Sequence, residues 1–401
     1  MERTVYRYSF EQPPRLDPDP LYAQLRSAEP VARVQAPFGR EAWLVTRYDA
    51  VKSVFDDPRF SRSLAAGSDA PRRCPAMTPP NGIISLDPPE HTRMRKLFAS
   101  AFSMRGVKRV RPWAEKVVDG LVDELVGHGP PADIIPILTK RVPVMTICEV
   151  LGFPYSVSEE FGGAPQLMVS IGADQVPAAR AARAGMLDRI RGLVVARRER
   201  PADDLFSALV READNGGQIT VAELVTMAEL LLSNGYETTS NELANFVFAL
   251  LTHPGQAAWL RTDLSRVPDA VEELLRFVPL AAGVPSAGGH SRVASVDVEL
   301  DGVTIAAGDA VLPAINSANR DESVFAEPDR LALDRAPNAH LAFGHGPHHC
   351  LGAQLARMQG QVILTALLSR FPKLELAVAP AEVPWRTDGI QRHPTELLVT
   401  W

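Results

Sequence analysis

Apolar residues recur at helical spacing along most of this chain. Stretches 89–103, 110–126, 138–151, 157–171 and 180–198 place them three and four apart, and each predicts a helix. The clearest case runs from Thr220 to about Thr252. Thr220 and Glu223 form a capping-box pattern at its start, and His253-Pro254-Gly255 ends it. About 33 residues at ~1.5 Å each predict a helix roughly 50 Å long, enough to cross a domain. Met227, Ala228, Leu230, Leu231 and Leu232 are interrupted only by Glu229, so this part is expected to be buried on nearly all sides. Further helices are predicted at 267–277 and 351–370. Period-two alternation is rarer. Residues 43–48 predict a strand followed by a short helix at 49–56, and 296–305 predict a hairpin turning at Asp301-Gly302. Segment 62–85 is rich in Pro, Gly and Arg and reads as a long loop of the kind that carries function or lacks order. The fold class is mainly α with a smaller β-rich part.

Composition narrows the function classes. With 401 residues and 46% hydrophobic content, the chain can build a large core. It has no linker, repeat or low-complexity stretch, so residues 1–401 are expected to form a single domain. A net charge of −6 leaves no basic surplus to release counterions, which argues against nucleic-acid binding. Cys74, Cys148 and Cys350 are few and widely spaced, which suits a reducing compartment. Residues 1–10 lack the apolar segment of a signal peptide, and no apolar run is long enough to span a bilayer. A cytoplasmic protein without a membrane anchor is expected.

The most informative chemistry lies at Cys350. It sits in the run Phe343-Gly344-His345-Gly346-Pro347-His348-His349-Cys350-Leu351-Gly352. Glycines let backbone approach a flat partner without an intervening Cβ. A helix starting after Cys350 directs N–H dipoles toward the sulfur and favours thiolate. A thiolate beside room for a planar group is what an axial haem ligand requires, and such a ligand pushes electron density toward iron. The residues alone leave two other readings open. One is a glycine-rich turn holding a buried thiol. The other is a zinc site drawn from His340, His345, His348, His349 and Cys350, although paired ligand spacing is missing.

The run resembles the haem-binding signature of the cytochromes P450, Phe-Gly-x-Gly-x-x-x-Cys-x-Gly, with every fixed position filled. Other segments resemble that family in the same order. Asn234-Gly235-Tyr236-Glu237-Thr238-Thr239 is similar to its oxygen-activating element, with Glu237 as the acid and Thr238 as the alcohol that deliver protons. The family usually has Ala or Gly where this chain has Asn234. Four residues before Thr238, Asn234 shares its helix face, and its amide is expected to point into the distal pocket. Glu273-Leu274-Leu275-Arg276 resembles the buried structural Glu-x-x-Arg pair, and the segment 325–330 resembles the loop that completes it, with Arg330 as third member. His91, Arg95, Arg292 and His348 match the cations that hold the haem propionates.

The resemblance implies a cytochrome P450 fold and one haem b per chain, with Cys350 as the only protein ligand to iron and Phe343, Gly344 and Gly352 shaping its loop. It implies a monooxygenase that uses O2 to hydroxylate or epoxidise a small organic molecule. The Ala-, Arg- and Pro-rich composition is similar to actinobacterial proteins, which points to a polyketide, terpenoid or peptide-derived substrate. Substrate contacts are expected at Asn234, Ile83, Leu280 and Ala281. No flavin- or nicotinamide-binding fingerprint is present. Electrons from NAD(P)H are therefore expected through an external ferredoxin and its reductase, with Arg105, Lys108, Arg109 and Arg111 as the docking charges of a monomer. A peroxide-dependent haem-thiolate enzyme and a non-catalytic haem or metal-binding protein are the alternatives.

Overall fold

Helices dominate the computed structural model, which describes residues 4–8, 10, 15–66, 69–73, 79–156, 173–279, 290–386 and 391–401. In chain order they are α1 (Pro20–Ala28), α2 (Tyr48–Asp56), α3 (Glu90–Phe102), α4 (Met104–His128), α5 (Arg141–Leu151), α6 (Val176–Glu199), α7 (Leu205–Asp214), α8 (Val221–Leu251), α9 (Pro254–Arg261), α10 (Val267–Phe277), α11 (Ile315–Ala318) and α12 (Ala353–Arg370).

The longest, α8, starts where its cap chemistry dictates. The Thr220 hydroxyl accepts from the Glu223 N–H, and the Glu223 carboxylate accepts from the Thr220 N–H at 2.8 Å. Every residue from Ser240 to Leu250 is buried. Partners α5, α6, α7 and α12 pack around it, so α8 is the axis of the main core. Helix α4 departs from expectation by starting earlier. Ser103 caps it by accepting from the Gly106 N–H at 3.1 Å, and the helix continues through Pro112. The stretch predicted at 138–151 is split into a π turn, Ile135–Thr139, and α5. The helix predicted at 157–171 lies outside the described residues.

A six-stranded sheet occupies the β-rich side. Strands β1 (Val5–Arg7), β2 (Val31–Gln35), β3 (Ala42–Val45), β9 (Ala310–Pro313), β6 (Arg292–Ala294) and β4 (Phe60–Ser61) lie in that spatial order. Parallel pairing of β3 with β9 sets Ala42 opposite Ala310 and Val45 opposite Pro313. The predicted hairpin is present as β7 (Val298–Leu300) and β8 (Val303–Ile305), joined at Asp301 and Gly302 with φ of 46° and 74°. Positive φ at both central residues is what a tight two-residue turn needs. Strand β6 carries Arg292 inward, and the turn between β9 and α12 carries Cys350.

Candidate active site

The Cys350 loop is shaped by backbone as much as by side chains. The Cys350 N–H donates to the Phe343 carbonyl at 2.9 Å. Gly344 and Gly346 have φ of 71° and 66°. A Cβ on Gly346 would also meet the Phe55 carbonyl oxygen at 2.7 Å, so no side chain fits there. The Gly352 N–H donates to the sulfur, and the Arg95 and Arg357 guanidiniums favour its ionised form, but desolvation is larger and pushes the thiol up. The helix start alone had suggested the opposite direction. Cys350 is exposed by surface area and yet strongly desolvated. Both hold if it lines an internal space rather than the outer surface.

Beside it lies a cluster of cations. His91 and Arg95 share one face of α3, Arg292 enters from β6, and His348 comes from the 3₁₀ turn Gly346–His348. The His91 and His348 rings stand 4.1 Å apart. Arg95 donates to the His349 carbonyl at 2.7 Å. Arg62, which the sequence reading missed, is buried beneath them. It donates from Nε to the Ile84 carbonyl at 2.8 Å and also bonds the Ser291 carbonyl. Burial, then neighbouring cations, lowers His91 to about 4 and His348 to about 2, and pushes Arg292 well below its usual range. The nearby carboxylate, Asp87, is already held by the Ser61 and Ser63 hydroxyls and the Arg62 N–H. His348 Nε2 is buried without a hydrogen-bond partner among the described residues. Crowded guanidiniums, neutral histidines beside them, a committed carboxylate and an orphaned ring nitrogen fit a bound dianion. A haem has two propionates, so the residues present fit that group.

Helix α8 carries the acid and alcohol that the sequence singled out. The Thr238 hydroxyl donates to the Asn234 carbonyl. Glu237 is buried, accepts from Asn241 Nδ2 at 3.3 Å, and is raised above the ordinary carboxylate range by that burial. Asn241 also donates to Gln391 at 2.5 Å. Asn234 is exposed, and its Nδ2 turns back to the Leu230 carbonyl at 2.8 Å. Gly235 faces α5, where a Cβ would lie 3.3 Å from Ile147, so it serves helix packing. Ile83 is buried in a short 3₁₀ turn. A Cβ on the preceding Gly82 would lie 2.8 Å from Leu230 Cδ1, so this segment sits against α8 one turn before Asn234. Leu280 and Ala281 lie outside the described residues.

One expectation is corrected. Glu273 and Arg276 form a buried pair at 2.7 and 2.8 Å, but its third member is Arg335, not Arg330. Arg335 Nε lies 3.0 Å from a Glu273 oxygen, and Asn338 Nδ2 donates to the same carboxylate at 3.1 Å. Arg330 points outward to Glu327, with 57% and 70% of the two side chains exposed. Only its carbonyl faces inward, accepting from Arg276 and Arg335. Among the described residues, no three His, Cys, Asp or Glu side chains converge as ligands for a metal ion. His340 bonds Glu272 at 3.1 Å and His348 stacks on His91, so the two diverge from Cys350. Among the same residues, no helix is long and apolar enough to cross a membrane.

Comparison with known proteins agrees with this geometry. The cytochrome P450 family profile matches residues 191–399. Nocardicin C N-oxygenase of Nocardia uniformis subsp. tsuyamanensis is 46% identical over 100% of both chains. Mycinamicin IV hydroxylase/epoxidase of Micromonospora griseorubida is 42% identical over 95% of this chain and 94% of its own. The crystal structure of HinD with NMFT and NO superposes with a TM-score of 0.95 at 46% identity, covering 100% of both chains. The chain belongs to the cytochrome P450 family and is an oxidoreductase of the monooxygenase type.

Proposed function

We propose that this monooxygenase tailors a natural product that carries a hydrogen-bond donor, an amine or a hydroxyl, near the carbon to be oxidised. The relatives' printed names, an N-oxygenase and a hydroxylase/epoxidase of natural-product pathways, support the reaction class. The single observation that carries the site assignment is the pairing of a desolvated Cys350 with a basic cluster that includes His348, whose Nε2 has no hydrogen-bond partner among the described residues. Cys350 would ligate the iron, and His91, Arg95, Arg292, His348 and Arg62 would hold the propionates. When bound, haem supplies the redox centre that activates O2 for transfer of one oxygen atom to the substrate.

The remaining work falls to the chain. Glu237, whose burial makes it hold its proton above the ordinary carboxylate range, stores a proton at the pocket wall. Asn241 and Gln391 fix its carboxyl and lead away from the pocket. The Thr238 hydroxyl, bonded to the Asn234 carbonyl, keeps its lone pairs free to hold a water, and by rotating it passes a proton inward. Asn234 selects the substrate. An amide oxygen cannot bond a carbonyl, so Nδ2 is committed to Leu230, and Oδ1 has no partner among the described residues. It therefore accepts from a substrate N–H or O–H.

Electrons would come from NAD(P)H through a ferredoxin and its reductase. Arg105, Lys108 and Arg109 are exposed on α4, while Arg111 is engaged with Gln361. An acidic ferredoxin suits the exposed three. The deciding experiment is the carbonyl spectrum of the reduced protein. A strongly red-shifted Soret band that disappears in Cys350→Ala is expected, and a band that survives the substitution rules out the assignment.

A further inference from the structure

Around the Cys350 loop lies a charged assembly that the proposed chemistry does not use. Glu272 on α10 lies between His340 and Arg357. Arg357 on α12 donates to both of its oxygens, at 2.8 and 2.9 Å, and His340 Nε2 lies 3.1 Å from one of them. The Ala342 N–H donates to His340 Nδ1 at 3.2 Å, so Nε2 carries the imidazole proton and donates to Glu272. The pairing is tight enough to hold Glu272 at about 2 despite desolvation, with His340 and Arg357 as the opposing causes. Arg357 does a second thing. Its guanidinium carbon stands 4.6 Å from the centre of the Phe343 ring, and the Phe343 carbonyl accepts the Cys350 N–H. Glu272 thus holds a fixed cation against the Phe343 ring, close enough to the sulfur to favour its ionised form.

We propose that Glu272 and Arg357 form an electrostatic pair that sets the reduction potential of the haem iron on Cys350, with His340 fixing the orientation of the carboxylate. The proposal rests on the haem-thiolate reading above. Reduction adds negative charge at the iron–sulfur unit, so a nearby cation favours the reduced state and a nearby anion opposes it. Partial burial keeps solvent from screening the pair fully, since Arg357 and Glu272 are 20% and 28% exposed.

The test is spectroelectrochemical titration of the holoenzyme. Removing the cation in Arg357→Gln should shift the midpoint to more negative potential. Removing the anion in Glu272→Gln leaves Arg357 uncompensated and should shift it the other way, by a smaller amount. At an applied potential near the parent midpoint, the reduced fraction then falls in one variant and rises in the other. Arg357→Lys keeps the charge and should stay near the parent value. Loosened packing alone would move both neutral variants in the same direction. Shifts of the same sign, or no shift in either, overturn the proposal. Variants that fail to load haem are replaced by Arg357→Lys and Glu272→Asp, in which a large shift with charge retained overturns it equally. A parent protein without the red-shifted carbonyl band would defeat the haem-thiolate reading itself, a result separable from these.

Discussion

Thr238, Asn234 and Glu242 sit within about two turns of α8, and each carries a different expectation. Thr238→Ala should retain haem and substrate binding but lose product per NAD(P)H oxidised, by roughly tenfold or more, with hydrogen peroxide making up the difference. Product and peroxide assays on one reaction measure both. Asn234→Ala should bind a donor-bearing substrate about 5- to 10-fold more weakly, the worth of one hydrogen bond, and should not discriminate against its N- or O-methylated analogue. Spectral binding titrations with the two compounds check this. Glu242 is fully desolvated, its Oε2 has no partner among the described residues, and burial raises it well above the usual carboxylate range. A carboxyl raised in the folded state contributes most below its unfolded pKa, and that contribution is lost as pH rises toward the folded value. Glu242→Gln should therefore melt like the parent near pH 4 and increasingly above it between pH 5 and 8, with up to about 1.4 kcal/mol gained per pH unit. Melting curves across that range decide it. The place of Asn234 one turn before Thr238 on α8 was legible from their spacing. The turn of its amide back to Leu230 was not, because rotamer choice depends on neighbours that spacing does not reveal.

At the scale of elements, sequence and structure agree where local chemistry decides. The Thr220–Glu223 box starts α8, and Asp301-Gly302 turns the β7–β8 hairpin, because each requirement is met within a few residues. They part where a distant partner decides. Arg330 and Arg335 lie in one irregular segment, and pattern alone cannot say which guanidinium reaches Glu273. Likewise apolar spacing placed a helix start near Val110, while the Ser103 cap draws the start back by several residues. The arginine correction has a direct check. Arg335→Ala strips a buried carboxylate of one donor and should destabilise by about 1–3 kcal/mol. Arg330→Ala should stay within about 0.5 kcal/mol of the parent, as expected of an exposed pair. Equal losses in chemical denaturation would restore Arg330 to the network.

For the whole molecule, the cationic cluster ties haem retention to charge. Arg292 comes from the sheet, His91 and Arg95 from α3, and His348 from the Cys350 loop, so one ligand would bridge elements whose guanidiniums otherwise crowd one another and keep the two histidines neutral. Arg62→Met keeps bulk and removes a buried charge. The haem-free protein should unfold at a higher temperature with that substitution, because repulsion within the cluster is relieved, while haem transfer to a scavenger should speed up about 10-fold for the loss of a charge-assisted bond. Calorimetry of the haem-free form and transfer kinetics of the loaded form read the two effects separately.

The strand order has a consequence in time. Strand β3 ends at Val45, yet its parallel neighbour β9 begins at Ala310. Antiparallel pairing with β2 satisfies one edge of β3 early in synthesis, but the other edge waits for most of the chain to emerge. Closing so long a loop is slow, and an unpaired strand edge invites association with other chains. A nascent chain halted before residue 310 should therefore be far more aggregation-prone than one halted after 313, and slowing translation upstream of β9 should lower the yield of native enzyme.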